Sequence, residues 1–272
     1  MTKGCGMAMA RVAAAVRPEL PAAVQPGRRY EVRFARGEAE LDAVFRLRFE
    51  VFNLELGEGL QASYATGRDV DEYDAGCHHL IVAQTEAPDV PVGTYRMQTS
   101  EMAAAHRGFY SASEFDLSTL PASLVDHAVE VGRACVAAPH RNTSVLFLLW
   151  KGLAQYVAFN GKRYLFGCCS VSTTDEAYGW RVYRHLQRDG HVDARWTLAP
   201  RPGCALDPAL SETPDDAPVS LPPLMRLYLR YGGRVIGAPA IDRRFATIDF
   251  FVVFDVAGME PERYRRFFGD VP

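Results

Sequence analysis

The sequence predicts a single large domain of mixed α/β structure, and three observations lead to this prediction. Short segments in which apolar and polar residues alternate are typical of strands, and longer segments with apolar residues every three or four positions are typical of helices. The two kinds of segment are interleaved along the chain, which favours one mixed layer architecture. The 272 residues are enough to bury a large core, and neither a second core nor an internal repeat can be placed.

Ordered patterning begins at Tyr30, where Tyr30, Val32 and Phe34 alternate with less apolar residues. The segment 38–54 then changes to helical spacing, and the polar, glycine-rich segment 57–67 predicts a mobile loop. The remaining elements are strands at 79–84, 92–98, 127–136, 163–171 and 246–256, a turn at 88–91, a buried helix at 144–159, and a helix that begins at Pro222-Pro223 and ends at Gly232-Gly233.

Two segments fall outside this pattern. Residues 1–28 are rich in alanine, proline and arginine and are predicted to form a flexible N-terminal tail, so that the domain spans 29–272. Residues 199–223 contain seven prolines, which predicts a long extended insertion near the end of that domain.

Composition excludes several classes of function. The 30 Lys and Arg residues nearly balance the 33 Asp and Glu residues, and the net charge of −3 argues against a globally basic nucleic-acid-binding protein. No segment is long and apolar enough to span a membrane, so a cytoplasmic protein is expected, with peripheral contact at the inner membrane left open. The six cysteines show neither a CxxC pair nor zinc spacing, which predicts reduced thiols and no metal site.

Glu130 is the most informative single residue because it lies between Val129 and Val131 in an apolar predicted strand. A carboxylate in that setting needs a partner, a water-filled cleft or a raised pKa. Strict alternation places Arg133 on the opposite face, but a bulge at Gly132 would bring both side chains to one face. The sequence therefore leaves two interpretations, a buried structural ion pair or a catalytic carboxylate at a strand edge.

A polar run, Arg141-Asn142-Thr143-Ser144, precedes the long apolar helix. Free backbone N–H groups and the helix dipole make such a helix start suited to a phosphate, although the same residues could act only as a helix cap. Two other positions also have a structural interpretation. Arg48 and Asp71 could form an ion pair, and Arg96 could be a solvated strand residue.

At these residues the sequence resembles the GNAT N-acyltransferases, and more closely the branch that takes fatty acyl chains from acyl carrier protein. That branch includes the ornithine-lipid first-step acyltransferases, the N-acyl amino acid synthases and the related acyl-homoserine-lactone synthases. The motifs that carry the resemblance span about residues 30–256 and occur in order: Arg-Phe-Glu-Val-Phe at 48–52, Asp-Glu-Tyr-Asp at 71–74, Gly-Thr-Tyr-Arg at 93–96, Glu-Val-Gly-Arg at 130–133, Arg-Asn-Thr-Ser at 141–144, Gly-Ala-Pro-Ala-Ile-Asp at 237–242 and Thr-Ile-Asp-Phe-Phe at 247–251.

The resemblance implies a GNAT-like fold, in which helices flank a twisted, mostly antiparallel sheet with splayed central strands. It implies that Glu130 is the general base and that Arg133 acts beside it. Residues 141–145, up to Val145, replace the glycine-rich acetyl-CoA loop of ordinary GNAT enzymes and are implied to hold the phosphopantetheine phosphate of a carrier protein. The residues implied to order the N-terminal region and the acceptor site are Arg48, Phe52, Asp71, Asp74 and Arg96.

The implied activity moves a fatty acyl chain, with a 3-hydroxyacyl chain expected, from acyl carrier protein to the α-amine of an amino acid. Ornithine is the first choice of acceptor, the product is a lyso-aminolipid, and no cofactor is expected to be tightly bound. Glycine, glutamine or lysine as acceptor remain alternatives, as does a homoserine-lactone signal synthase. An alternative of another class is a non-catalytic carrier-binding or membrane-associated protein.

The distribution of charge and of apolar residues adds further expectations. Residues 131–174 carry five cations and no acid, which predicts a basic surface for an acidic carrier protein. Residues 38–74 carry ten acids, which predicts acidic surroundings for a cationic acceptor. Backbone N–H groups near 135–137 are expected to stabilise an oxyanion, and the candidates for an acyl tunnel are Phe147, Leu148, Phe166 and Phe251.

Overall fold

A computed structural model describes residues 20–21, 29–212 and 217–269. Within these residues one eight-stranded sheet has the order β1-β2-β3-β4-β5-β8-β6, and β7 pairs with β8. Only β4 and β5 run parallel, which confirms the predicted mixed, mostly antiparallel sheet. The strands are β1 (Tyr30–Phe34), β2 (His78–Gln84), β3 (Ala87–Thr99), β4 (Ala128–Val136), β5 (Tyr164–Val171), β6 (Arg234–Val235), β7 (Ala240–Asp242) and β8 (Thr247–Asp255).

Helices flank this sheet. In the described part of the chain they are α1 (Glu38–Arg48), α2 (Ser100–Ala105), α3 (Ala122–Val125), α4 (Thr143–Phe159), α5 (Glu176–Arg188), α6 (Pro223–Arg230) and α7 (Pro261–Phe268). A π-helix at Phe49–Glu55 continues α1, so the predicted helix at 38–54 is confirmed. Helix α5 was not predicted, although Val182 and Leu186 recur at helical spacing and Asp175 caps the helix by accepting hydrogen bonds from the N–H groups of Ala177 and Tyr178.

Helix α4 covers one face of the sheet because its apolar side packs on β1 and β2. The approach is close at Gly152, where a Cβ atom would lie 2.6 Å from a methyl carbon of Leu80. The side chains of Val145, Leu149 and Trp150 continue this contact and are buried in the same core. Two further large apolar clusters lie on the opposite face and beneath α5 and α6, and two small ones lie beside α1.

The two central strands separate after a short stretch of pairing. Strands β4 and β5 are paired only between Ala128–Glu130 and Tyr164–Phe166. On its other side β4 contains a bulge, because Gly132 pairs with Arg96 while Cys135 pairs with Thr94. Arg133 in this bulge has a φ of 47°. The structure thus confirms both the splayed central strands and the bulge predicted at Gly132.

Some predicted boundaries were wrong. The turn predicted at 88–91 lies instead at Thr85-Glu86, and residues 88–91 belong to β3, where a register shift accommodates Pro91 opposite Ala83. The loop predicted at 57–67 contains a 3-10 turn at Gln61–Ala65. Arg36 holds the carbonyl groups of Leu20 and Pro21, and the rest of the predicted tail at 1–28 lies outside the described residues.

The proline-rich segment is attached to the domain at several points. Pro200 forms a β-bridge with Phe115, and Ala205 forms one with Ala240. The N–H of Arg201 donates to the carbonyl of Glu114. These contacts fix the stretch of chain around Glu114. Within the described residues, no helix is long and apolar enough to cross a membrane.

Candidate active site

A cavity of about 220 Å³ opens where β4 and β5 separate. From the α4 face of the sheet it receives apolar side chains, among them Trp150, Leu153, Leu165, Tyr228 and Phe254. The opposite face contributes polar and charged side chains, among them Arg96, Tyr110, Glu130, Arg133, Asp242 and Asp249. The cavity therefore joins an apolar compartment to a polar one through the gap between two strands.

Glu130 lies in the wall of this cavity and is almost fully buried. Its Oε2 accepts from the N–H of Tyr110 at 2.7 Å, and its Oε1 accepts from the N–H and the Oγ of Ser111 at 2.7 and 2.6 Å. Burial raises the pKa of Glu130, against the lowering effect of these hydrogen bonds and of Arg96. The interpretation of Glu130 and Arg133 as a structural ion pair was wrong, because Arg133 faces Asp69.

Three buried arginines and three buried aspartates form a second cluster next to the cavity. Arg48 donates to Asp69 at 2.8 and 2.5 Å and to Asp74 at 2.7 and 3.1 Å. Arg96 donates to Asp71 at 2.6 and 2.7 Å and to Asp74 at 3.2 Å. Burial alone would raise the pKa of Asp74, but Arg48 and Arg96 outweigh it and hold that pKa far below its usual range.

This cluster revises two sequence-based interpretations. Arg48 pairs with Asp69 and Asp74, so the suggested pair with Asp71 was wrong. Arg96 is 6% exposed and is not a solvated strand residue. Asp69 was not among the predicted site residues, although it lies in the same acidic segment as Asp71 and Asp74.

Arg133 extends from the bulge of β4 and lies between aromatic rings. Its guanidinium carbon is 3.9 Å from the ring centre of Phe245 and 5.0 Å from that of Phe52. Nη2 is 3.2 Å from Asp69 Oδ2, without the geometry of a hydrogen bond. Burial lowers the pKa of Arg133, in part against the effect of Asp69. The structure thus brings together every residue predicted for catalysis and for the acceptor side: Arg48, Phe52, Asp71, Asp74, Arg96, Glu130 and Arg133.

Residues 141–145 lie apart from the cavity lining. Asn142 is the N-cap of α4, and its Oδ1 accepts from the N–H groups of Ser144 and Val145 at 3.0 and 3.1 Å. Arg141 is exposed and forms a two-bonded ion pair with Glu55. Val145 is fully buried in the core, so its side chain is not accessible to a donor. The exposed residues of the helix start are Arg141, Asn142, Thr143 and Ser144.

Ion pairs reduce the predicted basic surface, because they use most of its cations. Arg141 pairs with Glu55, Lys162 with Glu101, Arg163 with Asp255, and Arg133 is buried against Asp69. The predicted acidic surroundings at 38–74 are reduced in the same way, since arginines pair with Glu40, Asp42, Glu55, Asp69, Asp71, Glu72 and Asp74.

The predictions for the acyl tunnel and for the oxyanion site are each revised. Of the four tunnel candidates only Phe166 lines the cavity, because Phe147, Leu148 and Phe251 pack into the core. The N–H of Ala137 donates to the carbonyl of Val92 and is not available to an oxyanion. The bulge residues 132–134 line the cavity, and a Cβ atom at Gly132 would meet nothing within 4 Å.

A group of buried acids on the polar side of the cavity was missed. Glu114, Asp242 and Asp249 are 3%, 6% and 2% exposed, and the hydroxyl of Tyr110 donates to Asp242. The sequence could have indicated Asp249, because it is an acid within an apolar strand, as Glu130 is. Asp242 and Asp249 also lie in the motifs at 237–242 and 247–251. Glu114 lies in an irregular stretch and had no such signal.

Comparisons with known proteins identify relatives of this chain. Residues 47–151 match the family described as acetyltransferase (GNAT) domain. The L-ornithine N(alpha)-acyltransferase of Rhizobium meliloti (strain 1021) is 33% identical over 254 residues, which cover 88% of this chain and 84% of that protein. The protein of the same name from Rhodobacter capsulatus is 34% identical over 253 residues, covering 88% and 94%. Among solved structures, FeeM, an N-acyl amino acid synthase from uncultured soil microbes, has a TM-score of 0.48 and 11% identity, covering 85% of this chain and 92% of that chain.

The domain match at 47–151 and the relatives that cover most of the chain define an acyltransferase of the GNAT class. Within that class, the chain belongs to the family of the L-ornithine N(alpha)-acyltransferases. The predicted family is confirmed.

Proposed function

We propose that this protein transfers a fatty acyl chain from an acyl carrier protein thioester to the α-amine of ornithine. The observation that carries the proposal is the position of Glu130, a buried carboxylate in the wall of a cavity that joins a polar and an apolar compartment. The names of the relatives supply the acceptor, since they are L-ornithine N(alpha)-acyltransferases. The expected product is a lyso-aminolipid carrying a 3-hydroxyacyl chain.

Glu130 is the general base in this proposal. It takes a proton from the α-ammonium of the acceptor, and the free amine attacks the thioester carbonyl. A carbon–nitrogen bond forms and the carbon–sulfur bond breaks. The α-ammonium loses two protons in all: the carrier thiolate takes up one, and the other passes to solvent, so that Glu130 ends as a carboxylate again. Three donors from Tyr110 and Ser111 hold the Glu130 carboxylate in place, and burial raises its pKa toward the range in which a base works at neutral pH.

Arg133 is proposed to hold the acceptor's α-carboxylate. Within the described residues its guanidinium makes no hydrogen bond, although it lines the cavity and lies against Phe245. A guanidinium matches a carboxylate in two-bonded geometry. The backbone of the bulge at 132–134 lies at the cavity and is the proposed site of oxyanion stabilisation. The cluster of Arg48, Asp71, Asp74 and Arg96, with Phe52, is proposed to keep this acceptor side in place.

The donor is proposed to approach at the start of α4. The exposed residues there are Arg141, Asn142, Thr143 and Ser144. Arg141 would release its ion pair with Glu55 and bind the phosphopantetheine phosphate instead. Val145 contributes only its backbone, since its side chain is buried. We further propose that the protein works in the cytoplasm with peripheral contact at the inner membrane, because its product is a lipid.

One incubation tests the proposal. The protein is mixed with 3-hydroxyacyl carrier protein or the matching acyl-CoA, and with ornithine, lysine, glutamine, glycine or S-adenosylmethionine, and products are identified by mass spectrometry. We expect Nα-acylornithine, formed faster from the carrier protein than from acyl-CoA. The absence of any N-acyl product would overturn the proposal, and a preference for acyl-CoA would overturn its assignment of the donor.

A further inference from the structure

The buried acids Glu114, Asp242 and Asp249 form a group beside the cavity, separate from Glu130. Two of them line the cavity directly. Within the described residues, none of the three forms an ion pair with an arginine, lysine or histidine. This sets them apart from Asp69, Asp71 and Asp74, which are as deeply buried but face three arginines. Buried carboxylates without a cation are costly, so their retention here requires an explanation.

The hydrogen bonds of Glu114 and Asp249 leave acceptor capacity, which a proton shared between the two carboxyl groups takes up in part. Glu114 Oε1 is buried without a donor in hydrogen-bond geometry, and its Oε2 accepts from the thiol of Cys168 at 3.8 Å. Asp249 accepts from Thr247 Oγ1 at 2.9 Å through one oxygen. One oxygen of Asp242 accepts from the Tyr110 hydroxyl and the other from the N–H groups of Arg244 and Phe245.

A short chain of contacts relates these acids to Glu130. Ser111 Oγ donates to Glu130 at 2.6 Å, and it lies 3.5 Å from Cys168 Sγ, which in turn contacts Glu114. Phe166 is the residue of β5 that pairs with Glu130 of β4. Cys168 is two residues beyond Phe166 and therefore lies roughly 7 Å farther along β5. Asp249 faces Ser170 in the next register position of the same face. The two carboxylate sites therefore lie on one face of the sheet, two to four residues apart along β5, and Ser111 and Cys168 lie between them.

We propose that Glu114, Asp242 and Asp249 bind the side-chain ammonium of an α,ω-diamino acid acceptor while Glu130 receives its α-amine. An ammonium has three N–H donors and no acceptor, which suits a pocket of three carboxylates. This inference rests on the proposed function and adds the group that selects a cationic acceptor. In this proposal the three buried acids, and not the acidic residues at 38–74, make the enzyme selective for a cationic acceptor.

The electrostatics agree with a cation as the missing ligand. Burial, and then the charges of Asp249 and Asp242, raise the pKa of Glu114 well above its usual value. Burial, with a contribution from Asp242, raises the pKa of Asp249 to about 6. A bound ammonium would relieve the repulsion that produces these shifts.

A metal ion is the competing occupant, because ligand atoms of Glu114, Cys168 and Asp249 lie within 4.8 Å of one another. We favour the ammonium because the cluster opens on the cavity that contains Glu130, where an acceptor must lie.

Acceptor specificity provides the test. Wild type, Asp249→Asn and Glu114→Gln are assayed with ornithine and with norvaline, which has the same chain length apart from the missing terminal ammonium. We expect each substitution to lower kcat/KM for ornithine about 10²-fold, mainly through KM, and to change the value for norvaline by less than about threefold. Asp89→Asn and Glu86→Gln replace exposed acids far from the cavity and serve as matched controls.

Each outcome has a defined meaning. If the ratio of ornithine to norvaline activity stays at the wild-type value in both variants, the inference is wrong while the acyltransferase function stands. If wild type acylates no amino acid, the proposed function itself fails. A binding measurement independent of turnover completes the test: ornithine should raise the Tm of wild type and not that of Asp249→Asn. Stoichiometric metal in the purified protein that is lost in Cys168→Ser would also overturn the inference.

Discussion

Arg48 and Asp74 are joined by two hydrogen bonds, from Nη1 to Oδ1 at 2.7 Å and from Nη2 to Oδ2 at 3.1 Å, although 26 residues separate them. Neither side chain is more than 2% exposed. This pair holds the end of α1 against the segment that leads into β2. Because that segment also carries Asp69 and Asp71, the same contact positions the partners of Arg133 and Arg96.

Replacing Arg48 should therefore destabilise the whole domain. Arg48→Met leaves Asp69 and Asp74 buried without their main partner, and we expect a loss of about 3–5 kcal/mol in the free energy of unfolding. Arg46→Met breaks an exposed pair with Asp42 on the same helix and should cost less than about 1 kcal/mol. Urea denaturation of both variants measures the difference. Equal losses would contradict the structural role given to Arg48.

Substitution of Glu130 tests the proposed base. Glu130→Gln keeps the size of the side chain but removes proton acceptance, so we expect kcat/KM to fall by about 10²–10⁴-fold. Glu86→Gln, at an exposed position, should have no effect. The readout is the initial rate of N-acyl product formation from the carrier-protein donor. Full turnover in Glu130→Gln would show that Glu130 only holds the loop at 110–111 in place.

Gly167 allows β4 and β5 to approach closely at the point where their pairing ends. A Cβ atom there would lie 2.1 Å from the carbonyl oxygen of Val131, so Gly167→Ala must displace one strand. We expect it to lower the free energy of unfolding by about 1–3 kcal/mol or more and to reduce activity. Gly37→Ala is the control, since a Cβ atom at Gly37 meets nothing within 4 Å and only the N-cap preference at the start of α1 is affected. Unchanged stability and activity in Gly167→Ala would be inconsistent with this close approach.

The proposed donor site predicts opposite effects for the two members of one ion pair. Arg141→Gln should raise the KM for acyl carrier protein severalfold, because a phosphate contact is lost. Glu55→Gln should lower that KM, because Arg141 is then free of its competitor. Arg163→Gln breaks a similar exposed pair with Asp255 and is the control. The assignment fails if Arg141→Gln and Arg163→Gln behave alike.

The raised pKa values of the buried acids predict a pH-dependent stability difference. Asp249, with a pKa of about 6 in the folded protein, binds its proton more tightly than in the unfolded chain, so its burial costs more free energy as pH rises. Asp249→Asn removes this cost, and its stability gain over wild type should therefore grow between about pH 4 and pH 7, from the ordinary pKa of an aspartate to just above the raised one, and level off at higher pH. The groups around Asp249 include Glu114, Asp242, Tyr110 and Cys168.

The measurement is the urea midpoint of both proteins across that range. His79 changes stability in the opposite direction, since burial lowers its pKa to about 3, but it contributes equally to both proteins. A gain that does not change with pH would contradict the burial of an ionising Asp249. Asp89→Asn, at an exposed position, should give no pH-dependent gain.

Much of the fold could be predicted from local patterning. The alternation at Tyr30–Phe34 and the apolar run of α4 each reflect burial of one continuous segment, so their periodicity carries the information. The bulge could be predicted because Gly132 interrupts a strand between Glu130 and Arg133. The wrong turn at 88–91 has a physical reason, since the two prolines there are accommodated in β3 by a register shift.

The pairing of charges could not be predicted, because it depends on contacts between distant segments. Nothing in the spacing of Asp69, Asp71 and Asp74 shows which arginine each one meets. The five cations at 131–174 suggested an exposed surface, yet Arg133 is buried and Lys162 and Arg163 are paired. Glu114 was missed for the same reason, because the proline-rich segment far along the chain is what holds it in place.

The position of β8 in the sheet has a consequence for biosynthesis. This strand lies between β5 and β6 and carries Asp249, so the cavity wall is complete only when one of the last strands in the chain has inserted beside β5. A nascent chain that has reached β5 exposes an unpaired apolar strand edge. We expect such intermediates to depend on chaperones, and a product interrupted before residue 247 to aggregate instead of persisting as a partly active enzyme.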